Sequence, residues 1–156
     1  FLVEKLQKAM RVSESPILTN QVEHHAYWQN TDMLNFCQNN DITLTAYSPL
    51  GEGRLVDDEQ LATIGDRYGK SAAQVAIRWL LQQDNVVTIP KTVTPEHARS
   101  NIDVFDFSLT EQEMEEINRV EGPWLYRTNR EGGGVYQLRG ILGKAIPASL
   151  YRKLIS

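Results

Sequence analysis

Val86-Val87-Thr88-Ile89 is a short run, apolar at every position but one, and Pro90 closes it. A strand so brief and so apolar reads as one covered on both faces, as in a parallel sheet, and the proline ends it. Ile17 to Glu23 and Ile42 to Tyr47 read as two more strands, and helical patterning separates each from the next. Leu2, Leu6 and Met10 form a helical stripe ahead of the first strand, ended by Ser13-Glu14-Ser15-Pro16. Asn30 or Thr31 caps a helix through Asn39, and Asn39-Asn40-Asp41 supplies the turn into the second strand. Asp57 or Asp58 opens a helix carrying Leu61 and Ile64, which Gly69 closes in a left-handed conformation. Ser71 caps the longest helix, whose Ala72, Val75, Ala76, Trp79 and Leu80 make a broad buried face. Beyond the third strand, Thr94-Pro95 starts a helix to about Val104. Thr110 to Glu113 is a capping box, with Leu109 and Met114 as its staple and Met114, Ile117 and Val120 turned inward. The order helix, β, α, β, α, α, β, α, α requires parallel strands joined by crossover helices.

The chain has 156 residues, 41% hydrophobic and 23% charged, the make-up of one ordinary soluble domain. No apolar run approaches the roughly 18 residues needed to span a bilayer, and no basic-then-apolar leader stands at the N-terminus, so no membrane span is expected and the cytoplasm is the expected location. Cys37 is the single cysteine, which excludes an intrachain disulfide; among Leu34 and Phe36 it reads as a small buried hydrophobe. The net charge of −4 hides a division: the last thirty residues carry +5 and residues 1–126 carry −9. An acidic body argues against a nucleic-acid surface. Glu23, His24 and His25 invite a metal reading, but on a strand only Glu23 and His25 share a face, and two ligands make no zinc site.

Polar and aromatic residues stand at or just beyond the end of each strand, in Asn20-Gln21-Val22-Glu23, Tyr47-Ser48-Pro49-Leu50-Gly51 and Ile89-Pro90-Lys91-Thr92. In a parallel α/β protein that is where a cofactor binds. In this order and spacing the three segments resemble the aldo-keto reductases, over Phe1 to about Val120. The likeness covers only the second half of that fold, a (β/α)8 barrel that usually takes about 250 residues. It implies an α/β fold, a parallel (β/α) half-barrel corresponding to the C-terminal half of a TIM barrel, over residues 1–121. Residues 122–156 are then a basic C-terminal tail with a glycine run at Gly132-Gly133-Gly134 and no clear periodicity until Ile141. The tail is open between a helix laid on the acidic body, a partner- or membrane-surface helix, and disorder.

The resemblance implies a nicotinamide dinucleotide as cofactor. By it, Gln21 holds the nicotinamide carboxamide, which suits an amide that both donates and accepts, and Tyr47 stacks on the ring. Ser48, Leu50 and Gly51 bring backbone N–H groups and a hydroxyl to the pyrophosphate, with Glu52 turned away. Lys91 and Thr92 bind the adenosine 2′-phosphate and Asn101 the adenine. The family's arginine six residues after the lysine is His97 here, with Arg99 nearby, so NADP(H) is favoured while NAD(H) stays open. Trp28, after Tyr27, borders the substrate pocket. From the residues alone, Gln21 reads equally as a strand-end amide satisfied by a loop, Tyr47 as a core tyrosine, and His97 and Arg99 as a solvated helix face.

In this family a tyrosine protonates the carbonyl oxygen while hydride reaches the carbon, assisted by a lysine, an aspartate and usually a histidine. All four lie in the half that the resemblance does not cover, so no catalytic residue is assigned. The full form implied is an NAD(P)H-dependent reductase of small aldehydes and ketones, with this chain alone inactive. The rival readings are a non-catalytic nucleotide-binding or protein-interaction half-barrel, and a truncated product without function. A half-barrel also leaves open sheet edges, so self-association or a covering partner chain is expected.

Overall fold

A computed structural model of the chain describes residues 1–122. The expected basic tail, with its glycine run, lies outside the described residues from position 123 onward. Phe1–Val120 forms one compact unit. Its centre is a three-stranded parallel sheet, β1 (Thr19–Glu23), β2 (Thr43–Tyr47) and β3 (Val86–Thr88), in spatial order β1-β2-β3. Thr19 pairs with Thr43 and Glu23 with Tyr47; Leu44 pairs with Val86 and Ala46 with Thr88. The strands are shorter than their apolar runs, yet the ladder outlasts them: Thr43 N–H donates to Leu18 O at 2.9 Å, and Ile89 N–H to Ala46 O at 3.2 Å. The expected parallel α/β arrangement is therefore the observed one.

The register sorts side chains by face. Asn20, Leu44 and Val86 align on one side, and all three are buried. Thr19, Gln21, Thr45, Tyr47 and Val87 share the other. Most of that side stays open among the described residues: Tyr47, Val87 and Ile89 keep 39%, 45% and 47% of their surface exposed, while Glu23, also on it, is buried. The expectation that β3 is covered on both faces is thus corrected, because every described helix packed on the sheet lies on one side of it. Along the open side the Thr19 and Thr45 hydroxyls pair at 2.7 Å, and Thr19 Oγ1 lies 2.9 Å from Thr43 O.

The helices are α1 (Val3–Val12), α2 (Thr31–Gln38), α3 (Glu59–Asp66), α4 (Ala72–Leu81), α5 (Pro95–Ile102) and α6 (Glu111–Asn118), with a 3₁₀ segment at Gly51–Asp57. α4 touches β3, α3, α5 and the 3₁₀ segment, so Ile77 is buried besides the five residues of the expected stripe. Capping follows the sequence in part. Asp58 accepts from Leu61 N–H at 2.8 Å, and both Ser71–Gln74 and Thr110–Glu113 close capping boxes. Asn30 holds the N-cap position of α2 without capping it; its amide donates to Glu23 O instead. Thr94 likewise caps nothing, and its own N–H donates to the Thr92 hydroxyl at 3.2 Å. No described helix is long and apolar enough to cross a membrane.

Candidate functional site

The carboxyl ends of the three strands lie side by side, so the loops that leave them form one edge. Gln21 and Tyr47 project from the open face at that edge, Gln21 level with Thr45 and Tyr47 level with Glu23. Gln21 is exposed and the Tyr47 ring half-exposed. Within the described residues Tyr47 is not packed as a core tyrosine would be.

The chain then turns sharply through Ser48 to Gly53. Four of its residues hold left-handed backbone: Ser48 (φ 50°), Gly51 (φ 56°), Glu52 (φ 58°) and Gly53 (φ 93°). Non-glycine residues there cost about 1–2 kcal/mol each, and such strain clusters where a backbone is held in shape for a ligand. Gly51 N–H donates to Ser48 O at 2.9 Å and Gly53 N–H to Leu50 O at 3.0 Å. Leu55, fully buried, pins the far side of the turn and donates its N–H to Leu50 O at 3.2 Å. Glu52 is exposed and meets Arg54 Nη1 at 3.2 Å, while Arg54 Nη1 also reaches Gly51 O at 3.5 Å. Gly51 is buried, and a Cβ there would stand 3.5 Å from His25 Cε1. The glycine is demanded by its backbone angle, and its α-carbon faces protein rather than solvent.

Beyond β3, Lys91 is exposed and Thr92 half-buried. The Thr92 hydroxyl is engaged locally, accepting from Thr94 N–H and reaching Thr94 O at 3.4 Å. α5 buries no residue, and its His97 and Asn101 fall at i and i+4 on one face. Arg99 sits beside Glu96 at 3.9 Å with both side chains largely in water, so their pairing is worth little. Lys91 and Thr92 thus precede this exposed helix, His97 lies in its first turn and Asn101 in its last.

The loop after β1 makes a tight turn, with His25 N–H donating to Trp28 O at 3.2 Å and Trp28 N–H to His25 O at 2.8 Å. His24 and His25 point apart, as strand alternation implies. His24 stacks on Trp79 with ring centroids 5.4 Å apart. Its Nδ1 accepts from Asn30 N–H at 3.1 Å, so its proton is on Nε2, which donates to Gln83 Oε1 at 2.9 Å. Burial, with His25 adding to it, holds the His24 pKa below 6.5 against the help of Gln83. His25 Nε2 donates to Glu23 Oε1 at 3.2 Å. Burial takes the His25 pKa down to about 4, with the Glu52 carboxylate working against that fall and the Arg54 guanidinium reinforcing it. Both imidazoles are therefore neutral structural groups at pH 7. Among the described residues no three His, Cys, Asp or Glu side chains are placed to hold a metal.

The family model described as "Aldo/keto reductase family" matches residues 1–121. The chain belongs to the aldo/keto reductase family. Among its relatives, "Aldo-keto reductase family 1 member D1" of Mus musculus is 44% identical over 114 residues, which is 66% of this chain and 35% of that protein. "Glyoxal reductase" of Bacillus subtilis is 38% identical over 120 residues, 77% of this chain and 43% of that one. The solved structure of Gox0644 in a mutant complex with NADPH superposes with a TM-score of 0.73 at 33% identity, covering 78% of this chain and 45% of that one. This aldo/keto reductase chain therefore spans less than half the length of those relatives.

Sequence reasoning missed the contact that joins the two loops of this aldo/keto reductase family chain. The Tyr27 hydroxyl donates to Asp58 Oδ2 at 2.5 Å across 31 positions of sequence. Burial first, and then that bond, raise the Tyr27 pKa far above the ordinary phenol value. Nothing in the local pattern of either residue announces such a bond. Only the short loop after β1, placed beside the loop after β2, brings them together.

Proposed function

We propose that residues 1–121 are the C-terminal half of a (β/α)8 barrel that binds NADP(H), and that the whole enzyme of which this half is the cofactor platform reduces aldehydes or ketones to alcohols. What supports this reading is that Gln21 and Tyr47 project from one face of the sheet, while the left-handed turn at Ser48–Gly53 and the Lys91–Thr92 pair follow the carboxyl ends of β2 and β3. These groups fit the dinucleotide in kind. Tyr47 offers a bare face to a flat heterocycle, Gln21 an amide for a carboxamide, and the Ser48 to Gly51 backbone short residues for close approach to phosphate. Lys91 supplies the cation of a 2′-phosphate site, Thr92 a hydroxyl, Asn101 an amide for adenine, and Trp28 a wall toward the substrate.

Bound there, the nicotinamide would supply the hydride. By the family resemblance the proton-donating tyrosine belongs to the other half of the barrel, so in this reading the platform binds and orients while a complementary half protonates. The open face of the sheet is the surface such a half, or a second copy, would cover. A home in the cytoplasm follows the same reading.

The test is titration of the chain with NADPH and NADH by calorimetry. Tyr47→Ala should weaken both about tenfold through the lost stack, and His97→Arg should strengthen NADPH relative to NADH by roughly 1 kcal/mol or more through a charge-assisted contact. A chain that binds neither dinucleotide refutes the cofactor reading, and an unchanged ratio removes His97 from the site.

A further inference from the structure

The turn His25–Trp28 and the loop Ser48–Asp58 meet twice. Near its start the loop rests on His25, whose buried ring packs beneath the α-carbon of Gly51 and is itself held by Glu23. At its end stands Asp58, with its two carboxylate oxygens divided between two tasks. Oδ1 accepts from Leu61 N–H and caps α3, while Oδ2 accepts from the Tyr27 hydroxyl. Between these ties lie the left-handed Glu52 and Gly53, a backbone that needs outside contacts to keep one shape. The start of the loop is fixed by β2 and Leu55 plugs its middle into the core, but its far end is joined to the β1 loop through Tyr27.

We infer that Tyr27 is a positioning residue, whose hydroxyl bond to Asp58 straps the loop after β2 into the shape that receives the dinucleotide's pyrophosphate. The inference rests on the cofactor reading above. Tyr27 touches no ligand in this scheme; it acts through Asp58. Because the same turn carries Trp28, the strap also ties the substrate side of the edge to the phosphate side. Loosening either partner should therefore loosen cofactor binding without unfolding the protein.

Two substitutions separate the strap from its surroundings. Tyr27→Phe removes only the hydroxyl. Asp58→Ser keeps a side chain that caps α3 well but is too short to reach Tyr27 as well. The full chain is titrated with NADPH as wild type, each single variant and the double variant; urea midpoints and amide exchange over residues 48–57 are recorded in parallel. Each single variant is expected to weaken NADPH about three- to tenfold, the range of one hydrogen bond, with faster exchange in the loop. The double variant should lose no more than either single one, since both remove the same bond. NADPH affinities within about twofold of wild type would overturn the inference even if the urea midpoint fell, because that pattern marks a bond that serves stability alone. Losses that add in the double variant would overturn it too. A wild-type chain that binds no NADPH would refute the cofactor reading itself, and this inference would fall with it.

Discussion

Gly51 and Gly65 are both buried glycines, and their reasons for being glycine differ. Gly51 holds φ 56°, while an added Cβ would meet its nearest neighbours at 3.5 Å and beyond, an ordinary contact. Gly65 lies in the last turn of α3 at a normal angle, but a Cβ there would lie 2.2 Å from the Lys70 carbonyl oxygen, which is backbone and cannot swing aside. Gly51→Ala should therefore cost about 1–2 kcal/mol of stability through its backbone angle alone. Gly65→Ala should cost about 3 kcal/mol or more, because the turn Gly65–Lys70 must open to admit the methyl. Urea unfolding of the two variants checks the order. Equal losses would mean that the α3–α4 junction yields more easily than its packing implies.

At the scale of the element, α6 shows how one side chain can serve two purposes. Glu113 is buried; its Oε2 accepts from Thr110 N–H at 2.8 Å and its Oε1 from Arg67 at 3.0 Å, and Tyr68 also donates to it. Burial works against its charge, but the Tyr68 hydroxyl, the Thr110 backbone and hydroxyl, and Arg67 together hold its pKa below 4.5. Thr110→Ala should cost about 1 kcal/mol, the usual loss of a cap. Glu113→Ala should cost about 1–3 kcal/mol more, since it also strands Tyr68 and the Thr110 N–H, and chemical denaturation of both variants measures the difference. The box itself was legible in the sequence, because Thr-x-x-Glu is a local signal. Its link to Tyr68 was not, for that partner is 45 positions away. The same division runs through the chain. The strand order and the edge that gathers Gln21, Tyr47 and Lys91 follow from local patterns read in sequence order. The idle cap at Asn30 does not, since its side-chain amide turns to the Glu23 carbonyl instead of the helix end. Nor does the buried setting of Gly51, which depends on a histidine from the neighbouring loop.

For the whole molecule, the two buried histidines set a response to acid. Both hold their folded pKa below the ordinary 6.5, His25 at about 4. Above pH 6.5 the rings are neutral in folded and unfolded chains alike, so they add no pH dependence. As pH falls through 6.5 the unfolded chain takes up protons that the folded one refuses, and stability declines by up to about 1.4 kcal/mol per pH unit for each ring. For His25 the decline ends near pH 4, at a total of about 3 kcal/mol. Glu113 contributes only below its ordinary 4.5, where its loss of stability begins. The window from pH 6.5 to 4.5 therefore reports the histidines, and the urea midpoint should fall steadily across it. A midpoint that stays level would mean that the rings take their protons in the folded state after all.

The strand order has a last consequence, for the way such a chain is made. Among the described residues each strand pairs with its neighbour along the sequence, β1 with β2 and β2 with β3. A chain emerging from the ribosome can close the first ladder once Tyr47 is out, with only α2 between the strands, and can add β3 after α3 and α4 have formed against it. No described strand has to be inserted between two already paired ones. The sheet grows by accretion at one edge, so assembly can keep pace with synthesis, and the edge that carries the candidate site is completed in the order in which its parts are made.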